Sequence, residues 1–142
     1  MRNIKFRAKA KGSPLVQDGT FVYGSLVLDC KGKPIIDIQG YVDGSGVHYE
    51  HPVDADTVGQ FTGLLDKNGN EIYEGDILQY TDEKGKNYRR EVVYNDGAFC
   101  QKIKFELFTP LRNHDLQSWE IIGNIHDNHQ LMKGQDYGVE NN

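Results

Sequence analysis

The chain has 142 residues, a formal net charge of −5, and 37% hydrophobic and 26% charged residues, a length that gives one domain or two small ones. This composition suits a chain with a real core and excludes a disordered one, while the charge excludes a protein coated in phosphate-binding basic surface but not a local basic patch. Two cysteines, Cys30 and Cys100, are too few for a secreted disulfide framework and are expected to stay reduced and unpaired. No apolar run reaches a membrane-spanning length, and Met1–Lys11 does not read as a signal peptide, so the expected location is the cytoplasm, with no membrane partner.

Period-two alternation recurs along the chain, and sustained helical periodicity does not. In Ile4–Lys11 the even positions are apolar and the odd ones cationic. A strand there sends Ile4, Phe6 and Ala8 to a core and Lys5, Arg7, Lys9 and Lys11 to the opposite face. Phe21–Leu28 is the next strand, with Gly24 marking a bulge or a close backbone approach. Pro34–Gln39 and Val47–Glu50 follow, separated by the Asp43-Gly44-Ser45-Gly46 turn.

Asn68-Gly69 between apolar pairs is the preferred dipeptide of a type I′ hairpin turn. Asp76–Thr81 and Tyr88–Tyr94 are the next strands, and Asn95-Asp96-Gly97 turns into a strand over Ala98–Leu107. That last pattern puts Phe99, Ile103, Phe105 and Leu107 on one face, with Cys100, Lys102, Lys104 and Glu106 on the other. Trp119, Ile121 and Ile125 alternate before a short Asp127-capped turn or helix ending near Met132. Lys133–Asn142 is polar and reads as a flexible tail.

These elements give an all-β fold with only minor helix. The expected organisation is one compact domain over 1–132, subdivided into an N-terminal β unit over 1–74 and a small SH3-like barrel over 75–132. The tail covers 133–142.

Three kinds of chemistry can be tested on the residues. Asp66-Lys67-Asn68-Gly69-Asn70 resembles the opening of a calcium loop. However, the required glycine at its sixth position is Glu71 and the required glutamate at its twelfth is Ile77, so a plain hairpin is the better reading. His48 and His51 beside Glu50, and His126, Asp127 and His129, offer metal-ligand types, but in turn-rich polar segments rather than on one rigid element. The second group would be the site of a metal-dependent hydrolase, the least favoured functional reading, and no metal or other cofactor is expected. No nucleophile elbow, P-loop or dinucleotide fingerprint occurs, so no catalytic residue is assigned and no enzyme is expected.

The cations Lys5, Arg7, Lys9 and Lys11 would stand about 6.6–7 Å apart along one strand face, close to the phosphate spacing of a single nucleic-acid strand. Arg89 and Arg90, with Lys84 and Lys86 nearby, supply a second basic cluster. Lys5, Arg7, Lys9, Lys11, Arg89 and Arg90 are therefore the candidate partner-binding or nucleic-acid-binding residues. The competing reading is a solvated strand face that discourages edge pairing.

Several blocks together resemble one family. They are Arg2-Asn3-Ile4-Lys5-Phe6-Arg7-Ala8, Val22-Tyr23-Gly24-Ser25-Leu26, the long run from Thr57 to Ile77, and Glu120-Ile121-Ile122-Gly123-Asn124-Ile125. These resemble the YopX family, small proteins encoded by bacteriophages and prophages, over Arg2 to about Leu131. The chain departs from the family pattern at Lys9-Ala10-Lys11, where a tryptophan and an acidic residue are usual, and at His126, where an aromatic is usual. The resemblance implies a β-rich fold, a phage or prophage origin, action in the host cytoplasm and accessory status; it implies no catalytic residue. The function expected is a non-enzymatic protein-binding or assembly module acting on a host or phage protein. The alternative is a nucleic-acid-binding accessory protein that holds single-stranded nucleic acid with its N-terminal basic strand. Self-association into a homo-oligomer is expected from the exposed edges of a small β protein.

Overall fold

A computed structural model describes residues 1–134. The chain forms two compact units, Met1–Phe61 and Thr62–Asn142. Residues 135–142, most of the expected tail, lie outside the described residues.

The fold is all-β. The strands are β1 (Phe6–Lys9), β2 (Phe21–Leu28), β3 (Pro34–Val42), β4 (Ser45–Pro52), β5 (Gly59–Leu65) and β6 (Glu71–Tyr73). They continue as β7 (Asp76–Thr81), β8 (Asn87–Asn95), β9 (Ala98–Lys104), β10 (Leu107–Pro110) and β11 (Glu120–Asn124). Helical structure among the described residues is limited to 3-10 turns of three or four residues. The strands form two antiparallel sheets, ordered β4-β3-β2-β1-β5-β6 and β10-β9-β8-β7-β11.

In the first unit, β1 pairs with β2 and with the Gly59–Gln60 start of β5. Its core is Ala8, Ala10, Val22, Ile36 and Val53, with Phe6, Leu26, Ile38 and Val58 packed around it. Gly24 is needed for close approach: a Cβ there would collide with the Asp37 carbonyl oxygen of the neighbouring strand. In the second unit, Ile72, Leu78, Val92, Leu111 and Trp119 form the core.

Turn chemistry explains most of the hairpins. Asp43-Gly44 and Asp96-Gly97 have φ values of 50° and 80°, and 49° and 80°, the two positive angles of a type I′ turn. The turn at Asn68-Gly69 differs from expectation, because of the pair only Gly69 takes a positive φ. It belongs instead to a design used three times, at Asp29-Cys30-Lys31-Gly32-Lys33, Asp66-Lys67-Asn68-Gly69-Asn70 and Asp82-Glu83-Lys84-Gly85-Lys86. In each, Oδ1 of the first aspartate accepts the backbone N–H groups two and four residues on, at 2.8–2.9 Å. The aspartate carbonyl accepts the glycine N–H, and its own N–H closes the loop onto the fifth residue. Glycine in the left-handed region then lets the second strand leave antiparallel.

Three other expectations are corrected. Ala98–Leu107 is not one strand: it breaks at Phe105-Glu106, where Glu106 has φ 60°, and returns as β10 with Leu107 opposite Lys104. Phe105 is consequently 82% exposed rather than in the core. Ile4 precedes β1 and is exposed, while Arg7 on the expected wet face is only 6% exposed. Asp127 does not cap the final 3-10 turn, His129–Met132, which begins after Asn128 with no side-chain cap. The preceding turn is held by Asn124 Oδ1, which accepts the N–H groups of His126 and Asp127.

Candidate binding face

In antiparallel pairs, residues directly opposite one another share a face. Arg7 stands opposite Tyr23 and Lys9 opposite Phe21, so the cations of β1 and the aromatic rings of β2 lie on one face, away from Ala8 and Val22. The Arg7 guanidinium carbon is 4.6 Å from the Phe21 ring centroid, and Lys9 Nζ is 5.5 Å from the same ring. Lys5 Nζ lies 5.6 Å from the centroid of Phe61. Phe21 and Tyr23 are 6.4 Å apart, and Tyr23 is 45% exposed. A guanidinium is weakly hydrated and planar, and stacking on a ring lets it be buried at low cost. That is why Arg7 is covered although alternation placed it toward water.

The Lys9 N–H donates to Thr57 Oγ1, whose hydroxyl donates to the Asp54 carbonyl, so the turn before β5 fixes this end of β1. Lys11 lies beyond β1, exposed, with its N–H donated to the Pro52 carbonyl. The same face changes sign farther across the sheet. Ser25 is opposite Asp37, Asp37 is opposite Glu50, and Gln39 is opposite His48. His48 Nδ1 is 2.9 Å from Asp37 Oδ2.

The other candidates are built into packing. Arg89 and Arg90 belong to β8 in the second unit and, as neighbours on a strand, point to opposite faces. Arg89 donates through Nε to Gln79 Oε1 and through Nη1 to the Leu131 carbonyl, fastening the final 3-10 turn to β8. Arg90 is 7% exposed, lies 5.7 Å from the Tyr88 ring, and donates to the Arg89 carbonyl. Arg89 and Arg90 therefore do not form one patch with each other.

The histidines and acidic residues are similarly engaged. His51 Nδ1 is 2.9 Å from the Ser13 hydroxyl, and the Asp127 carboxylate accepts from Asn124 Nδ2. Among the described residues, no three His, Cys, Asp or Glu side chains form a group able to hold a metal. Asp66 is 2% exposed and its two oxygens accept N–H groups of Asn68, Asn70 and Ile121, so the loop that resembled a calcium site is a hydrogen-bonded turn. Burial alone would raise the Asp66 pKa, but these amides outweigh it and hold the carboxyl below its ordinary value. Cys30 is exposed and Cys100 buried, both unpaired, and burial pushes the Cys100 thiol up.

A second polar and aromatic cluster, not anticipated from the sequence, lies in the second unit. Tyr80 stacks 5.9 Å from Tyr88 and lies tilted 5.5 Å from Trp119, which meets His114 edge-on at 5.9 Å. His114 Nε2 is 2.6 Å from Thr109 Oγ1, and burial, with the Arg90 charge, holds its pKa below the usual value. Thr109 and Val92 flank Gln101, a fully buried amide whose Oε1 and Nε2 have no hydrogen-bond partner. The Lys86-x-Tyr88-x-Arg90 alternation was the available signal; His114 and Trp119 reach the cluster from distant positions that no local period links.

The family model described as YopX protein matches residues 5–133. The chain belongs to the YopX family. A crystal structure of protein EF1440 from Enterococcus faecalis is similar at 25% identity and a TM-score of 0.61, covering 94% of this chain and 100% of that one. The crystal structure of yopX from Bacillus subtilis is similar in fold, at 21% identity and a TM-score of 0.56, covering 92% of this chain and 96% of that one. No curated protein matches the chain. The YopX relation thus spans both units and supplies no catalytic assignment.

Proposed function

We propose that this YopX protein is a non-enzymatic binding or assembly module of a phage or prophage, acting on a protein partner in the host cytoplasm. The observation that carries the reading is the mixed character of the exposed face on β1–β4. Lys9 and the 45% exposed Tyr23 stand on one side, and Asp37, His48 and Glu50 on the other. Aromatic contact area bordered by charges of both signs suits a protein surface. A polyanion crossing the same face would meet two carboxylates. Arg7, Lys9 and Lys5 each lie over an aromatic ring, Phe21 for the first two and Phe61 for the third, so the basic strand is already engaged with rings of its own unit. An SH3-like barrel over 75–132 remains part of this reading, supported by strands that pair consecutively from β7 to β10 with β11 beside β7. Self-association belongs to the same reading, as one way such a module assembles.

Single-stranded nucleic acid is the second reading, favoured by rings and cations interleaved on β1 and β2. Affinity capture from host cells with the wild type and with a Lys9→Glu/Tyr23→Asp variant separates the two. A protein captured by wild type and lost with the folded variant supports the reading. Salt-sensitive retention of a single-stranded oligonucleotide, abolished by glutamine at Lys5, Lys9 and Lys11, replaces it with the second.

A further inference from the structure

The two sheets end in four strands, β4 and β6 in one and β10 and β11 in the other. Three of these edges are blunted. β6 has three residues. β10 has four, ends at Pro110, and shifts register between Leu107 and Phe108. β11 shifts register between Ile121 and Gly123, and its Ile121 and Asn124 N–H groups donate to the Asp66 and Asn128 side chains. Short length, proline, irregular register and capped amides are devices that keep an edge from recruiting another strand.

β4 lacks these devices over Ser45–Glu50; only at its end, where Pro52 accepts the Lys11 N–H and Val53 bridges Ala10, is its outer side taken by the same chain. It has eight residues without lysine or arginine, its register with β3 is unbroken from Ile35–Pro52 to Val42–Ser45, and its proline is the last residue. The Pro52 carbonyl accepts the Lys11 N–H and therefore points away from β3. Alternation back along the strand turns the N–H and C=O groups of Glu50, His48 and Gly46 to the same outer side, and these three residues are exposed. On one face the edge is lined by His48 and Glu50, with Asp37 behind them. On the other stand Val47 and Tyr49, the latter 38% exposed and packed over Gly40.

We propose that β4 is a docking edge for an extended segment of a partner protein in which lysine or arginine alternates with apolar residues. Backbone pairing to Gly46, His48 and Glu50 supplies the attachment. Cations facing Asp37 and Glu50, and apolar side chains against Val47 and Tyr49, supply the selection. The proposal rests on the protein-binding reading and names the partner's chemistry, but does not depend on Lys9 or Tyr23.

The test uses two short labelled peptides, one alternating lysine with valine or threonine and the other with glutamate in place of lysine. Fluorescence anisotropy measures their binding to wild type, His48→Ala and His48→Pro. Proline at 48 removes an outward N–H that β3 does not use, a position where edge strands tolerate it, whereas alanine removes only the side chain. The lysine peptide is expected to bind wild type and His48→Ala similarly and to lose about tenfold or more in affinity with His48→Pro. The glutamate peptide is expected not to bind. If His48→Pro fails to fold, Gly46→Pro makes the same test, since a Cβ at Gly46 meets open space. Equal binding of the two peptides, or lysine-peptide binding indifferent to proline, overturns the proposal. So does a wild-type dimer in sedimentation that proline converts to monomer, which gives the edge to a second copy. Cellular capture lost with Lys9→Glu/Tyr23→Asp but not with proline at 48 sinks the edge alone; no capture by wild type sinks the binding reading with it.

Discussion

The turns at Asp66 and Asp82 are built alike, with one carboxylate oxygen gathering two amides and a left-handed glycine three residues on. They differ in the other oxygen. Asp66 Oδ2 accepts the N–H of Ile121, 55 residues away on β11, and Asp66 is 2% exposed. Asp82 Oδ2 accepts the Tyr88 hydroxyl within its own hairpin, at 3.2 Å. The local code makes a turn, and the second oxygen decides whether that turn also anchors a distant strand. Asp29 follows the Asp82 pattern, with its carboxyl held below its ordinary value by the Lys33 and Lys31 amides.

The largest expected effect is therefore at Asp66. Asp66→Ala strips three N–H groups of their acceptor and should cost about 2–3 kcal/mol in urea unfolding; a loss no greater than that of Asp82→Ala would break the comparison. The pH dependence sharpens it. Because the folded Asp66 pKa is lowered, its contribution is present above the unfolded value near 3.8 and is lost as pH falls through the folded one. Wild type should then lose stability more steeply than Asp66→Asn in acid, and parallel curves would mean that Oδ2 is not a charged acceptor.

Gln101 provides the converse case, a buried polar group left unsatisfied. Gln101→Met should raise stability by about 1 kcal/mol, because it removes the unpaired amide while keeping volume. Destabilisation would instead show that the amide has a partner in solution. Glu91 is smaller again. Burial raises its carboxyl pKa despite Lys102 opposite, so its cost at neutral pH is relieved as pH falls through that raised value. Glu91→Gln should stabilise at neutral pH and lose that advantage in acid. Asp29→Ala and Asp82→Ala should shift the unfolding midpoint least of all, since their turns face water.

Much of the fold was legible because β-hairpins write themselves locally. Phe21–Leu28 and Asp76–Thr81 have the strand limits their patterns predict, and Gly24 marks a close approach. What escaped depends on the second side of a sheet. Alternation assumes one wet face, yet Cys100 and Ile77 are buried on the face of the second sheet that also carries Arg89, whose guanidinium holds Leu131. Arg7 escaped for a related reason: Phe21, chosen by cross-strand register, covers it. At Phe105-Glu106 a non-glycine residue accepts a positive φ, and no turn residue announces the reversal.

Trp119 gives the protein a selective optical reporter. It is the only tryptophan in the chain, is 8% exposed, and sits in the second unit's core between Tyr80 and His114. Indole emission excited at the red edge of the absorption band therefore follows the second unit and is blind to the first, whose rings are phenylalanine and tyrosine. Far-ultraviolet circular dichroism follows the strands of both. Superimposable melting curves from the two signals would mean that the units unfold as one; separated curves would show which lets go first, from a single unmodified chain.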